Sequence, residues 1–378
     1  MAVTGDSLSP GPTPHPLKIF DTARKQDRFI YACAPMVRYS KLAFRQTAHR
    51  YGTDLCWTPM ILAKEFNRSE FARDSDLTIS TTAPQPPTIL QFGANSPLEL
   101  ARASSLAAPF VSGVDLNCGC PQSWACAESL GAALMDQRAL VRDMVSQARQ
   151  RLRHDGWAVG TESDMDSPNG RSVSVKIRVH ADLRRTVDFL DTVVGHAQFR
   201  NVDWVTIHPR TRHTPSTTPI FTEALEMLAD KYADTLPLLL SGDVFDLSAL
   251  PVRGTTPTVK DDVTPPSAPR PSTTRLSGFM SARGLLANPA LFAGHAACPW
   301  EAVETLMCRL ARAPLPFKLA LHHVQEMTGP GMGPDKRALL SKRERAQLNA
   351  CESMLDLVDF LDAKLEEHTG RQGMRRDL

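Results

Sequence analysis

Two cysteines separated by a single glycine, in VDLNCGCPQSWA at 114–125, close a short apolar run and are followed at once by proline. Such a pair can be metal ligands, a disulfide, or one thiol held at a strand end as acid or nucleophile. The eight cysteines, at 33, 56, 118, 120, 126, 298, 308 and 351, lie scattered in apolar contexts with no paired C-x-x-C motifs. That usage suits reduced, mostly buried thiols and disfavours both a disulfide framework and a structural zinc site. An active thiol at Cys118 or Cys120 is the reading carried forward.

Other residues able to do chemistry share strand faces. In VSVKIRV (173–179) the residues Val173, Val175, Ile177 and Val179 fall on one face, and Ser174, Lys176 and Arg178 on the other. Two cations on an inward face are costly unless something anionic or electron-rich lies beside them, either a ligand or a carboxylate such as Asp115 or Asp243. In VDWVTIHPR (202–210) the same parity groups Trp204, Thr206, His208 and Arg210. Gln91 in TILQFG stands opposite Leu90 and Phe92 and offers an amide to a planar heterocycle. SGD at 241–243 and MSARGLLANPALF at 280–292 put small residues at strand ends before a short helix, an arrangement suited to a phosphate. Arg283 adds a charge-assisted donor there.

The elements that must position these residues are eight apolar runs, at 29–36, 54–60, 88–94, 114–121, 173–179, 202–210, 237–243 and 278–284. Amphipathic segments such as 136–152 and 222–235 separate most of them. Eight βα repeats predict a parallel (β/α)8 TIM barrel, residues 18–294, with the polar run ends at its C-terminal face. A doubly wound sheet is disfavoured because no run is followed by G-x-G-x-x-G. Past 295 the pattern is helical only, and Leu348, Cys351, Leu355, Val358, Leu361 and Leu365 read as one amphipathic stripe. We expect a small all-helical domain over 295–370 and a basic tail at 371–378. Residues 1–17, and insertions at 158–172 and 251–275, read as non-core. The last holds six prolines in 25 residues and cannot repay its ordering entropy.

Lysine plus arginine number 43 against 41 acids in 378 residues, so no global attraction to polyanions follows and charge must be sought locally. No run approaches a membrane span, and the N-terminus lacks basic and apolar leader regions, so an intracellular, cytoplasmic or nuclear, protein is expected.

The runs CAPMVRYSKLAFR (33–45), LQFGA (90–94), DLNCGCP (115–121), SVKIRV (174–179), TIHPRTR (206–212), SGDV (241–244) and GFMSARGLLANPALF (278–292) resemble, in order, the tRNA-dihydrouridine synthases. The likeness covers about residues 29–360, and DLNCGCPQSWACAE and SKLAFR look most like the eukaryotic branch acting at D-loop positions 20a and 20b. The resemblance implies FMN held by Pro35, Met36, Gln91, Lys176, His208, Gly242, Asp243, Ala282, Arg283 and Gly284, with NADPH or NADH as electron donor. It also implies that Cys120, and not Cys118, is the catalytic thiol. Departures are Ser241 where the family usually has Asn, and HPRT where it usually has His-Gly-Arg-Thr.

Reducing the C5=C6 bond of uracil needs hydride at C6 and a proton at C5. A thiol whose pKa lies near roughly 8.5 keeps its proton at neutral pH yet yields it more readily than a hydroxyl does. Asn117, Arg178 and Arg210 are candidates to hold the base, the flavin edge or a nearby phosphate. The target base must be extruded from folded tRNA to reach the pocket. Residues 309–345 carry eight Lys/Arg against three acids, and Lys336, Arg337, Lys342 and Arg343 are the expected tRNA contacts. No membrane partner is expected, and the chain is expected to act as a monomer. The alternatives are another FMN barrel oxidoreductase acting on a small pyrimidine or enone, and an RNA-binding or chaperone protein whose barrel has lost turnover.

Overall fold

The computed structural model describes residues 15–80, 85–160, 165–196, 199–251 and 275–374. Most of the 1–17 and 251–275 segments, the centre of the 158–172 insertion and the end of the basic tail lie outside the described residues. Eight parallel strands carry the fold: β1 Ile30–Cys33, β2 Leu55–Trp57, β3 Thr88–Gly93, β4 Gly113–Cys118, β5 Ser172–Ile177, β6 Trp204–Ile207, β7 Leu238–Ser241 and β8 Gly278–Ser281. Among the described residues every strand except β7 is followed by a helix, and this is a (β/α)8 barrel.

The chain divides into two compact units, one from the described parts of Met1–Lys25 and Met60–Leu239, the other from Gln26–Pro59 and Leu240–Leu378. In the first unit the strand order is β3-β4-β5-β6, with Gln91 beside Asp115, Asp115 beside Ser174, and Ser174 beside Trp204. One layer further toward the strand ends come Asn117, Lys176 and Thr206. The period of two therefore lines up Gln91, Asp115, Asn117, Ser174, Lys176 and Thr206 on one face, as the parity of the sequence predicts. Gly113 admits no side chain, because a Cβ there would lie 1.9 Å from Ser172 Oγ. The helix Arg138–His154 buries Val141, Met144, Val145, Ala148 and Leu152 at three- and four-residue steps and packs on the helix Pro97–Ala107. Its Arg149 forms a buried ion pair with Asp203 at 2.8 Å, and the same carboxylate accepts from the Val173 amide. The helix Pro16–Lys25 begins within the segment expected to be non-core. Leu17, Phe20 and Ala23 form its buried face, and the Phe20 ring stands 5.4 Å from Trp204.

In the second unit β1 lies between β2 and β8, with β7 beyond β8. The helices Trp300–Arg312, Phe317–Thr328, Lys342–Asn349 and Met354–Thr369 bury Val303, Leu306, Val324, Met327, Leu348, Leu357 and Leu361 in one cluster. The expected single stripe from Leu348 to Leu365 is broken. Ser353 Oγ accepts from Asp356 N and the Asp356 carboxylate accepts from Ser353 N, a capping box that starts a new helix. The change of axis turns Leu355 outward, where it is 68% exposed, and leaves Leu357, Leu361 and Leu365 as the buried face.

Candidate active site

Cys118 is the last residue of β4 and fully buried, and burial pushes its thiol well above the ordinary range. Cys120 lies two residues past the strand and is half-buried. What holds it there is a hydrogen-bonded series along the polar face. Asn117 Oδ1 accepts from the backbone amides of Gly119 at 3.0 Å and Cys120 at 2.8 Å, an Asx-type turn that ends the strand. Asn117 Nδ2 donates to Gln91 Oε1 at 2.7 Å, and Gln91 Nε2 donates to Asp115 Oδ2 at 2.7 Å. Ser174 Oγ donates to the other oxygen of Asp115 at 2.6 Å. The Cys120 carbonyl accepts from Ala132 N at 2.8 Å, and Gly131, at φ +61°, packs so closely that a Cβ would lie 2.6 Å from that oxygen.

The electrostatics are cationic around a protonated thiol. Burial raises the pKa of Cys120, against the opposing pull of the Gln122 amide, Arg178 and Lys176. Lys176 is pushed down to about 8, first by burial and then by Arg178, with Asp115 and Cys120 pulling the other way. Arg178 is lowered by burial and by the neighbouring Arg210. Its Nε donates to the Gly119 carbonyl at 2.9 Å and its Nη1 to the Thr211 carbonyl at 2.6 Å, so it ties the Cys120 turn to the loop after β6. Arg210 is 2% exposed. Its guanidinium donates to the Thr218 carbonyl and to His208 Nε2, which places Arg210 behind His208.

Within the second unit, Gly242 at φ +111° and Asp243 at φ +54° make a left-handed turn directly after β7, a conformation that glycine accepts without strain. Ser281, at the end of β8, donates to the Val244 carbonyl and accepts from Leu285 N, which fixes the start of the helix Arg283–Ala287 behind Ala282. Gly284 is required by that packing, since a Cβ would stand 2.5 Å from the Val244 oxygen. The Arg283 guanidinium lies 5.4 Å over the Phe245 ring. After β1, Met36 N donates to Ser40 Oγ and Tyr39 and Ser40 amides return to the Met36 carbonyl, closing the turn that follows Pro35.

The four cations of the helical region fall into two pairs. Lys336 donates to the carbonyls of Gly331 and Met332, and Arg337 is paired with Asp335 at 2.6 Å. Lys342 and Arg343 occupy the exposed first turn of the helix Lys342–Asn349, where the helix dipole disfavours positive charge. The capping box between Ser341 and Glu344 offsets that cost.

Gln91, Lys176, Cys120, Asn117, Arg178, His208 and Arg210 all belong to the first unit; Pro35, Met36, Gly242, Asp243, Ala282, Arg283, Gly284 and the four helical cations belong to the second. Sequence reasoning entertained Asp115 only as a counter-ion and missed its place under Gln91 and Asn117. The signal was present, because Asp115 and Asn117 share strand parity in VDLNC.

Comparison with known proteins adds an independent line. A mouse protein named "tRNA-dihydrouridine(20a/20b) synthase [NAD(P)+]-like" is 34% identical, covering 96% of this chain and 95% of its own. The Schizosaccharomyces pombe protein "tRNA-dihydrouridine(20a/20b) synthase [NAD(P)+]" is 35% identical over 92% of this chain and 91% of its own, and that of Saccharomyces cerevisiae 35% over 96% and 89%. The family profile "Dihydrouridine synthase (Dus)" matches residues 32–344, and the chain belongs to the dihydrouridine synthase family.

Proposed function

We propose that this protein reduces uridine to 5,6-dihydrouridine in tRNA, at D-loop positions 20a and 20b, with NAD(P)H as the electron source. Family membership and the names of the 20a/20b relatives support the reaction and the position. The observation that carries the mechanism is the Cys120 thiol: protonated, half-buried, pinned through its backbone, and beside two cations.

The residues suit FMN. Lys176 brings a cation with a depressed pKa to the polar face, as a ring that gains negative charge on reduction requires, and Gln91 and His208 offer polar contacts on the same unit. In the second unit the Gly242–Asp243 turn, Ala282, Arg283 and Gly284 are assigned to a phosphate, and Pro35 and Met36 to the ring. When bound, FMN would supply the hydride that C6 of uracil receives.

Cys120 then gives its proton to C5, and the thiolate left behind is stabilised by Arg178 and Lys176. The raised pKa keeps the thiol from ionising early, the reverse of what a nucleophilic cysteine needs. Arg178 and Asn117 keep the turn in register for that transfer, since both grip its backbone. Residues 295–370 are assigned to tRNA binding, with Lys342 and Arg343 as the cations most available to phosphate.

A map of dihydrouridine in tRNA from cells lacking the protein, and from the same cells carrying it again, tests the reading. Loss and recovery at 20a and 20b are expected. An unchanged map, or equal reduction of free pyrimidines by the purified protein, would overturn it.

A further inference from the structure

We infer that Asp115 is a positioning residue for Cys120, acting through the amides of Gln91 and Asn117; the inference rests on the assignment of Cys120 as the proton donor. Asp115 is 1% exposed, on the polar face of β4, five residues before the thiol.

Hydrogen-bond direction carries the influence from one residue to the other. A primary amide has a donating end and an accepting end, and either way round fits the same space. A carboxylate oxygen accepts, so Gln91 turns its NH2 to Asp115 Oδ2. Gln91 then has only Oε1 to offer Asn117, which turns its own NH2 to meet it. That leaves Asn117 Oδ1 pointing at the amides of Gly119 and Cys120, the sole orientation that can receive two N–H donors. Three choices are thus set by one acceptor. If Gln91 turned around, Asn117 would face like with like, and relief by turning Asn117 would set an NH2 against both backbone amides. The cost of such a clash at buried groups is what gives the acceptor its hold. Ser174 Oγ occupies the second carboxylate oxygen and keeps the first aimed at Gln91.

The competing account makes Asp115 a counter-ion for Lys176, whose pKa it raises. Asp115→Asn separates the two. Its Oδ1 can accept from Gln91 while its NH2 donates to Ser174 Oγ, because a hydroxyl can turn to accept. Direction survives and charge does not. Asp115→Leu, close in shape, removes both.

The test is backbone hydrogen exchange at Gly119 and Cys120 in the full chain as purified, for wild type and both variants, together with tRNA turnover. Wild type and Asp115→Asn are expected to exchange alike. Asp115→Leu should exchange at least roughly tenfold faster, with kcat for dihydrouridine formation reduced by a similar factor and KM for tRNA unchanged. Unchanged exchange in Asp115→Leu overturns the inference, as does Asp115→Asn that loosens as much as Asp115→Leu. Should Asp115→Leu not fold, Asp115→Asn with wild-type exchange supports the inference, and an Asp115→Asn that loosens or fails to fold overturns it. Exchange needs no turnover. The expected exchange pattern in a wild-type protein that makes no dihydrouridine would therefore leave the hold of Asp115 on the Cys120 turn standing, and would remove the proposed function and with it the part of Asp115 in proton transfer.

Discussion

Arg210 Nη1 donates to His208 Nε2 across 3.0 Å, while Arg210 Nε donates to the Thr218 carbonyl at 2.7 Å. A guanidinium offers no acceptor, so the lone pair is on Nε2 and the neutral ring carries its proton on Nδ1. Arg210→Ala removes the donor that holds the lone pair on Nε2. The measurement is the 15N shift of the two ring nitrogens, which should converge in the variant, with turnover roughly tenfold slower. Retention of a single Nδ1–H tautomer would show that something else orients His208.

Lys176 gives a pH dependence with a definite sign. Its folded pKa, about 8, lies below the ordinary 10.5. Activity that needs the ammonium falls as pH rises through about 8, and Lys176→Arg, charged throughout, should abolish that fall. Stability moves the other way. Between about 8 and 10.5 the unfolded chain holds a proton that the folded chain has released, so stability rises across that window. Urea melts of Lys176→Met at pH 7.5 to about 10 should lose this rise; an identical slope in variant and wild type would assign it elsewhere.

The polar face shows how far the sequence is readable. Six of the eight apolar runs contain their strands and the other two strands, Gly113–Cys118 and Ser172–Ile177, begin one residue before theirs, while Lys176 stands on the predicted face, because a period of two survives any local adjustment of the ends. The polar ends of those runs, His208 and Gly242–Asp243 among them, fall just beyond the strands' C-terminal ends. What was not readable is direction. Nothing in VDLNCGC says which way an amide turns, and that depends on the registered neighbours Gln91 and Ser174, 24 and 59 residues from Asp115. The helix break at Ser353 was readable from its Ser-x-x-Asp cap, but the leucine spacing ran through it and masked it.

His323 predicts an acid-side stability loss within the second unit. Its ring stacks on Phe44 at 5.1 Å and meets Tyr39 edge-on at 5.6 Å. Burial, then His322, pushes its pKa down to about 4 from 6.5. The unfolded chain takes a proton that the folded chain refuses, so stability is full above 6.5 and falls as pH drops toward 4, by an amount on the order of 3 kcal/mol. His323→Phe keeps the ring and removes the titration. Thermal melts from pH 7 to about 4 should be flatter for the variant, and parallel curves would contradict the assignment.

The helical cations should not contribute equally to tRNA binding. Lys342 and Arg343 stand in a first helical turn, whereas Arg337 is held by Asp335. Lys342→Gln with Arg343→Gln should lower the slope of log K against log salt by up to roughly 0.9 for each phosphate no longer neutralised, more than the Lys336/Arg337 pair does. Flavin content should not change. Equal slopes for all variants would place the RNA surface elsewhere.

The proton held at Cys120 is the centre of the proposed mechanism. In Cys120→Ala, reduction of the bound flavin by NADPH should proceed within about twofold of wild type, while a single turnover on tRNA lacking dihydrouridine should slow by at least about a hundredfold. Product formed at the wild-type rate would remove Cys120 from the reaction and, with it, the reason for the hydrogen-bonded series that begins at Asp115.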